Sequence, residues 1–367
     1  MPMALSAGIV GLPNVGKSTL FNALLKKQVA YAANYPFATI EPNVGIIEVP
    51  DSRLKPLAEI AGTSTIIPAA IEFYDIAGLV RGASEGEGLG NKFLSHIGET
   101  SLICHVVRLF EDGDITHVDN SVDPIRDIQT IETELILADL STVDRQREPK
   151  GAASKEDKIK WEALQQLKAQ LDKGVPARHA TLSPEHIEAL RMFNLLTFKP
   201  VMFVCNVSEA QLLDMDETRS HIEKILAEAS PHDTQYLVVS VKMEQELSLL
   251  GEDDQKEYLA EFGLQETGLN RLVKQAYEKL NLISYLTVGV KEVRAWTISK
   301  GTLAPQAAAV IHTDFEKHFI KAEVVAYNDF VECNGWAGAR STGKAILGGK
   351  EYMMKDGDIV DFKIGQA

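Results

Sequence analysis

Cysteine is scarce: Cys104, Cys205 and Cys333 are the only ones in 367 residues, and the first two sit in apolar runs. Three scattered thiols exclude a disulfide-stapled scaffold and supply no cysteine set for a metal cluster. Long hydrophobic runs are missing too. No stretch reaches the roughly 20 residues needed to cross a bilayer, and the first residues lack the basic-then-apolar pattern of a secretion signal. No membrane partner is expected, and the expected location is the cytoplasm. Internal repeats and low-complexity tracts are also absent. Positive charge is in deficit, with 37 Lys and Arg against 52 Asp and Glu and a net charge of −15. From residue 284 onward ten basic residues balance ten acidic ones, so the whole deficit lies in residues 1–283. An acidic body argues against broad nonspecific affinity for nucleic acid while leaving room for a local basic face. What is present is an ordinary soluble composition, 45% apolar and 24% charged, in a chain long enough for two or three domains.

The most informative stretch is Gly11-Leu12-Pro13-Asn14-Val15-Gly16-Lys17-Ser18. The apolar run Ala7-Gly8-Ile9-Val10 before it reads as a buried strand, and residues 19–25 after it read as a helix. That is the context the G-x-x-x-x-G-K-S/T phosphate loop requires. Its glycines let the backbone curl so that N–H groups converge, and the helix N-terminus adds partial positive charge. Asn14, Val15, Gly16, Lys17, Ser18 and Thr19 are therefore expected to hold a nucleoside triphosphate. Lys17 would stabilise charge on the β- and γ-phosphates, and the Ser18 hydroxyl would ligate Mg²⁺.

Two further signals follow in the expected order. Thr39 lies between Pro36 and Pro42 in a turn-rich loop and is the candidate to complete the Mg²⁺ shell. Residues 70–74 read as a strand ending in Asp75-Ile76-Ala77-Gly78. An aspartate there holds Mg²⁺ through water, while the Gly78 N–H senses the γ-phosphate. Each signal alone is weak, but together they indicate a nucleotide-dependent switch. Leu79 occupies the position where Ras-like enzymes carry a water-orienting glutamine. Hydrolysis is then slow, or another group orients the nucleophile. Four glycines in residues 81–90 suit a switch loop. His105, inside the next strand, reads as a core or edge histidine, whereas His117, ending the acidic loop 110–117, could reach the γ-phosphate.

From about residue 127 to 196 the pattern turns helical. Ile128, Ile131 and Leu135 recur at helical spacing, as do Leu164, Leu167 and Leu171, with charged residues on the other faces. A break at 149–151 and the Ser183-Pro184 helix start complete an antiparallel hairpin, too long for an ordinary crossover. The sheet then resumes at 200–205 and ends in Asn206-Val207-Ser208-Glu209. Guanine-specific enzymes carry N-K-x-D here; Val207 replaces the lysine and Glu209 stands for the aspartate. The carboxamide of Asn206 can pair with the N6 and N7 edge of adenine, so ATP is favoured over GTP. A last strand at 236–242 ends in Ser240-Val241-Lys242, which can pack around the base. Residues 293–298 alternate like a strand, and residues 352–362 read as a hairpin around Asp356-Gly357, which points to a small β-rich binding module.

These motifs resemble those of the Obg-like ATPases, the YchF family of translation-factor-class phosphate-loop proteins. The resemblance rests on residues 11–18, 34–43, 75–82 and 206–209, and on Glu292-Val293-Arg294-Ala295-Trp296-Thr297-Ile298. It extends through residues 304–308 and 311–317, which are similar to the family's closing TGS domain. It implies an α/β phosphate-loop fold, Ras-like with a mainly parallel sheet, over 1–126 and 199–283. A helical coiled-coil insertion would span 127–198 and a small β-rich α+β TGS domain 284–367. It implies a Mg²⁺-dependent ATPase that binds ribosomes or ribosomal RNA, with a hydrophobic residue at Leu79 and a catalytic histidine at His117. Asn14 matches the asparagine that holds K⁺ in potassium-activated relatives. A monomer is the expected state. The alternatives are a GTPase of the same fold and a ribosome- or RNA-binding regulator in which hydrolysis only resets a switch.

Overall fold

A computed structural model describes residues 6–29, 43–76, 89–111, 121–150 and 154–365. The chain divides into two units by its internal contacts. The first is built on a six-stranded sheet. Strand β1 (Ser6–Val10) leads into helix α1 (Lys17–Val29), and β2 (Val44–Glu48) follows. The excursion after β2 carries α2 (Leu54–Ala61) and β3 (Ile66–Ile67), and β4 (Ala70–Asp75) returns to the sheet. Helix α3 (Leu89–Glu99) and β5 (Leu102–Arg108) come next. The insertion holds α4 (Pro124–Asp144), α5 (Lys155–Leu171) and α6 (Pro184–Leu190). The sheet closes with β6 (Val201–Asn206), α7 (Glu209–Leu213), α8 (Met215–Ala229), β7 (Tyr236–Val239), α9 (Val241–Leu247), α10 (Glu252–Glu261) and α11 (Gly268–Lys279). Strand order is β2-β4-β1-β5-β6-β7, and every pair from β4 to β7 is parallel. Strands β1, β5 and β6 are buried along their whole length. Helices cover both faces of a parallel sheet, so its central strands read as continuous apolar runs. Among the described residues no helix is long and apolar enough to cross a membrane.

Within the insertion Ile136, Val143, Leu164, Leu167, Leu171, Leu190 and Leu195 form one apolar cluster. Asp123, Ser154 and Ser183 cap the three helices, each accepting the N–H three residues on. The expected charged faces are not all solvated. Asp139 of α4 is 1% exposed and accepts from the Leu196 N–H, the Thr197 N–H and the Thr197 hydroxyl. Just beyond, Asn194 Nδ2 and Lys199 Nζ both donate to Gly98 O near the end of α3. At the side of α4, Arg178 bridges Glu132 and Asp233, each at 2.6 Å. Burial pushes the Asp233 carboxyl up, but hydrogen bonds from Arg178 and His179 outweigh it and hold the group below its ordinary value.

The second unit contains β8 (Leu282–Val288), β9 (Val293–Ser299), α12 (Ala304–Ile311), α13 (Asp314–Lys317) and β10 (Phe319–Ala326). Helices α14 (Tyr327–Glu332) and α15 (Trp336–Ser341) and strands β11 (Ile346–Gly348) and β12 (Asp358–Ile364) complete the chain. Its sheet runs β11-β10-β12-β8-β9-β3. The last strand comes from the N-terminal third of the chain: Ile66 and Ile67 pair parallel with Val293 and Arg294. Residues 46–71 and 273–283 thus group with this unit rather than with the nucleotide domain, where the sequence reading puts them. The physical reason is α2, whose Leu54, Leu57 and Ala58 are buried and whose N-terminal Arg53 pairs with Asp356 at 2.7 Å. The opposite face carries Tyr285, Ile298, Ala307, Ala308, Ala322, Val324 and Val360 in one cluster. The hairpin expected over 352–362 does not form. Strand β12 pairs with β10 and β8, and Asp356 is occupied in accepting the Ser284 N–H, so Gly357 (φ +80°) turns the chain into the sheet instead.

Candidate functional site

Six residues separate β1 from α1, and three of them take positive φ: Gly11 at +153°, Asn14 at +62° and Gly16 at +103°. Backbone that alternates in this way turns successive N–H groups toward one centre. Gly16 is required twice over, because a Cβ there would also lie 2.7 Å from Asn206 Nδ2. Lys17 opens α1 and is 6% exposed, and its Nζ donates to Leu12 O at 2.6 Å. Burial pulls its pKa down to about 8, against the opposing attraction of Asp75. The ammonium is therefore poorly solvated and, among the described residues, rests on a single carbonyl of its own loop. Ser18 beside it is exposed.

Asp75 ends β4, in register with Ile9 of β1, and the Ile76 N–H anchors it by donating to Ile9 O at 3.2 Å. Its Oδ1 is buried and has no hydrogen-bond partner among the described residues. A carboxylate oxygen can only accept, and leaving it buried without a donor costs about 1–3 kcal/mol or more. A hydrated divalent cation fits that oxygen. His105, in register with Val10, lies behind the loop at 4% exposure with its ring against Phe203. Burial first, then the Lys17 and Arg178 charges, push its pKa to about 3. It is a neutral core histidine.

The base side differs from expectation at Asn206. Its Nδ2 donates to Val15 O at 2.9 Å and its Oδ1 accepts the Val241 N–H at 3.1 Å. With 5% exposure and both ends on main chain, this carboxamide braces the phosphate loop against α9 and does not present an edge to adenine. Local sequence shows that an amide stands at the strand end but not that Val241 comes back to meet it. Val207 is likewise built in, 1% exposed with its N–H on Val239 O. Ser240 caps α9 by accepting the Met243 N–H. Glu209 is the base-side residue with capacity left. It opens α7, its Oε1 is buried without a hydrogen-bond partner among the described residues, and Lys242 Nζ stands 3.7 Å away. Residues 14–19, Asp75, Asn206, Val207, Glu209 and Ser240 are thus carried by the β1, β4, β6 and β7 ends of one sheet. Thr39, Gly78 and His117 lie outside the described residues. Sequence reasoning picked out the Ser-Val-Lys tripeptide at 240–242 but missed the Leu12 carbonyl and the partners that Val241 and Lys242 find in Asn206 and Glu209.

Two family models match. One, described as a 50S ribosome-binding GTPase, covers residues 6–140; the other, a YchF-GTPase C-terminal region described as a protein of unknown function, covers 282–365. The ribosome-binding ATPase YchF of Bacillus subtilis is 49% identical over 98% of this chain and 99% of its own. The protein of the same name from Haemophilus influenzae is 48% identical over the same shares. Among solved structures, the YchF GTPase of Schizosaccharomyces pombe matches with a TM-score of 0.87 and 40% identity, covering 99% of this chain and 98% of that one.

Proposed function

Because this chain belongs to the YchF family of ribosome-binding ATPases, we propose that it is a Mg²⁺-dependent ATPase whose nucleotide state governs ribosome binding. The observation that carries the reading is the desolvated Lys17 ammonium set in a positive-φ loop beside an Asp75 oxygen that has no hydrogen-bond partner among the described residues. A triphosphate relieves both: it gives Lys17 an anionic partner and brings the cation that Asp75 suits. Ser18, Thr39 and Asp75 would hold Mg²⁺, which supplies charge neutralisation on the phosphates. Lys17 and the loop amides stabilise the remaining charge, and Gly78 senses the γ-phosphate. His117 is the proposed group that orients the attacking water in place of the glutamine that Leu79 replaces. K⁺ at Asn14 is part of the same reading. The preference for ATP is supported by the names of the relatives and by Val207 in the lysine position.

A second reading, turnover of GTP, is favoured by Glu209, whose buried oxygen can accept from a guanine ring N–H as an aspartate would. Phosphate release from ATP and GTP, side by side, separates the two. The expected result is clear preference for ATP, with Lys17→Ala lowering turnover by about 100-fold or more and His117→Ala also lowering it. Equal turnover of GTP would overturn the choice of purine, and full activity of His117→Ala would remove the histidine. Ribosome co-sedimentation with a non-hydrolysable ATP analogue is expected to differ from that without nucleotide; identical pelleting would leave hydrolysis without a switch to drive.

A further inference from the structure

Three arginines belong to the C-terminal unit: Arg53, Arg294 and Arg340. Two are fully committed. Arg53 is held by Asp51 and Asp356. Arg340 lies over the Trp336 ring at 5.4 Å, but its guanidinium is locked bidentate to Glu323 at 2.7 and 2.8 Å. Arg294 is different. Its guanidinium stacks on the Trp296 ring at 3.9 Å, and none of its five N–H donors meets an acceptor among the described residues. No carboxylate there stands within ion-pair distance of it.

The stack is also rigidly built. Trp296 Nε1 donates to Thr287 Oγ1 at 2.9 Å, which fixes the indole plane. Tyr285, its cross-strand partner, lies nearly parallel to it with ring planes 11° apart. Arg294 itself sits in register between Thr287 of β8 and Ile67 of β3. One planar cation is thus held half-buried on a fixed aromatic support, with its donor edge unmatched among the described residues. Order of this kind, established before a ligand arrives, lowers the entropy lost on binding.

We propose that Arg294, supported by Trp296, is a docking platform for single-stranded RNA, with a base stacked on the guanidinium plane and a phosphate on its edge. The proposal rests on the reading that this chain binds ribosomes and assigns the contact to named residues. An acidic peptide would use the donor edge but leave the plane idle; an unpaired nucleotide uses both. The equal numbers of basic and acidic residues beyond residue 284 mark this as a local contact rather than one station of a broad basic groove.

The test is fluorescence anisotropy of a labelled short oligouridylate titrated with the full chain at several salt concentrations, for wild type, Arg294→Ala and Arg294→Lys. Losing the platform is expected to weaken binding about tenfold in Arg294→Ala and to shrink the log–log salt slope by about 0.7, the share of one single-strand phosphate. Arg294→Lys is expected to keep the salt slope and lose affinity, because the charge stays and the plane goes. ATP turnover and melting temperature should match wild type in both. Unchanged RNA affinity in Arg294→Ala overturns the proposal, as does binding of poly-glutamate as tight as that of RNA, which would indicate a protein partner. Ribosome pelleting on the same proteins separates the failures. If wild type does not pellet, the functional reading falls; if wild type and Arg294→Ala pellet alike with equal RNA affinity, only the platform falls.

Discussion

Lys17 is a cation confined where water scarcely reaches. Its pKa of about 8 in the folded chain lies below the ordinary lysine value near 10.4. The unfolded chain therefore binds the extra proton between these values, and stability without nucleotide rises with pH across that window. The burden below pH 8 is on the order of 3 kcal/mol. A bound triphosphate reverses the balance by stabilising the charged form. Nucleotide binding should then take up a proton above pH 8, and affinity should fall by up to about tenfold per pH unit from there. Calorimetry at pH 9 in two buffers of different ionisation enthalpy should show this uptake, smaller at pH 7.5 and absent in Lys17→Ala. Equal apparent enthalpies in both buffers at pH 9 would contradict it. The phosphate loop was legible because its chemistry is local: eight consecutive residues between a strand and a helix fix the conformation. Asn206 was not, since its partners Val15 and Val241 lie far away along the chain.

At the level of elements, the insertion was read correctly where periodicity decides. Ile128, Ile131, Leu135, Leu164, Leu167 and Leu171 are all buried, because spacing at 3.6 residues places them on one face whatever the partner. The polar side of α4 was misjudged. Asp127, Glu134 and Asp139 are buried as well, and a carboxylate buried by a distant segment looks in sequence like one facing solvent. Asp139 shows how much rests on such a group. It gathers three donors from residues 196 and 197, and Thr197 Oγ1 in turn accepts the Ala177 N–H. Asp139→Ala strands those donors and should cost about 3 kcal/mol of stability. Asp139→Asn should fall between, since one carboxamide oxygen replaces two acceptors. Urea melts read the difference; a loss below about 0.5 kcal/mol would mean that water satisfies the donors.

At the level of the whole molecule, the second sheet is assembled from both ends of the chain. Its outer strand β3 and covering helix α2 come from residues 54–67, while its other five strands begin at Leu282. Sequence could place each element but not this exchange, because nothing within residues 46–71 names the sheet they will join. A fragment of residues 282–365, the span of the C-terminal family match, lacks both pieces. It leaves the β9 edge unpaired and uncovers the face on which Leu54 and Leu57 rest. Such a fragment should show no cooperative melt, whereas the same fragment supplied with residues 46–71 through a flexible linker should regain one. A sharp transition in the short fragment alone would show that α2 and β3 are dispensable.

The shared sheet also sets a waiting time during synthesis. Helix α2 is made roughly 220 residues before β8. At about 5–20 residues per second that interval is roughly 10–45 s. For all of it the greasy side of α2 has no permanent berth, so the nascent chain is most in need of a chaperone while its nucleotide domain is still being translated.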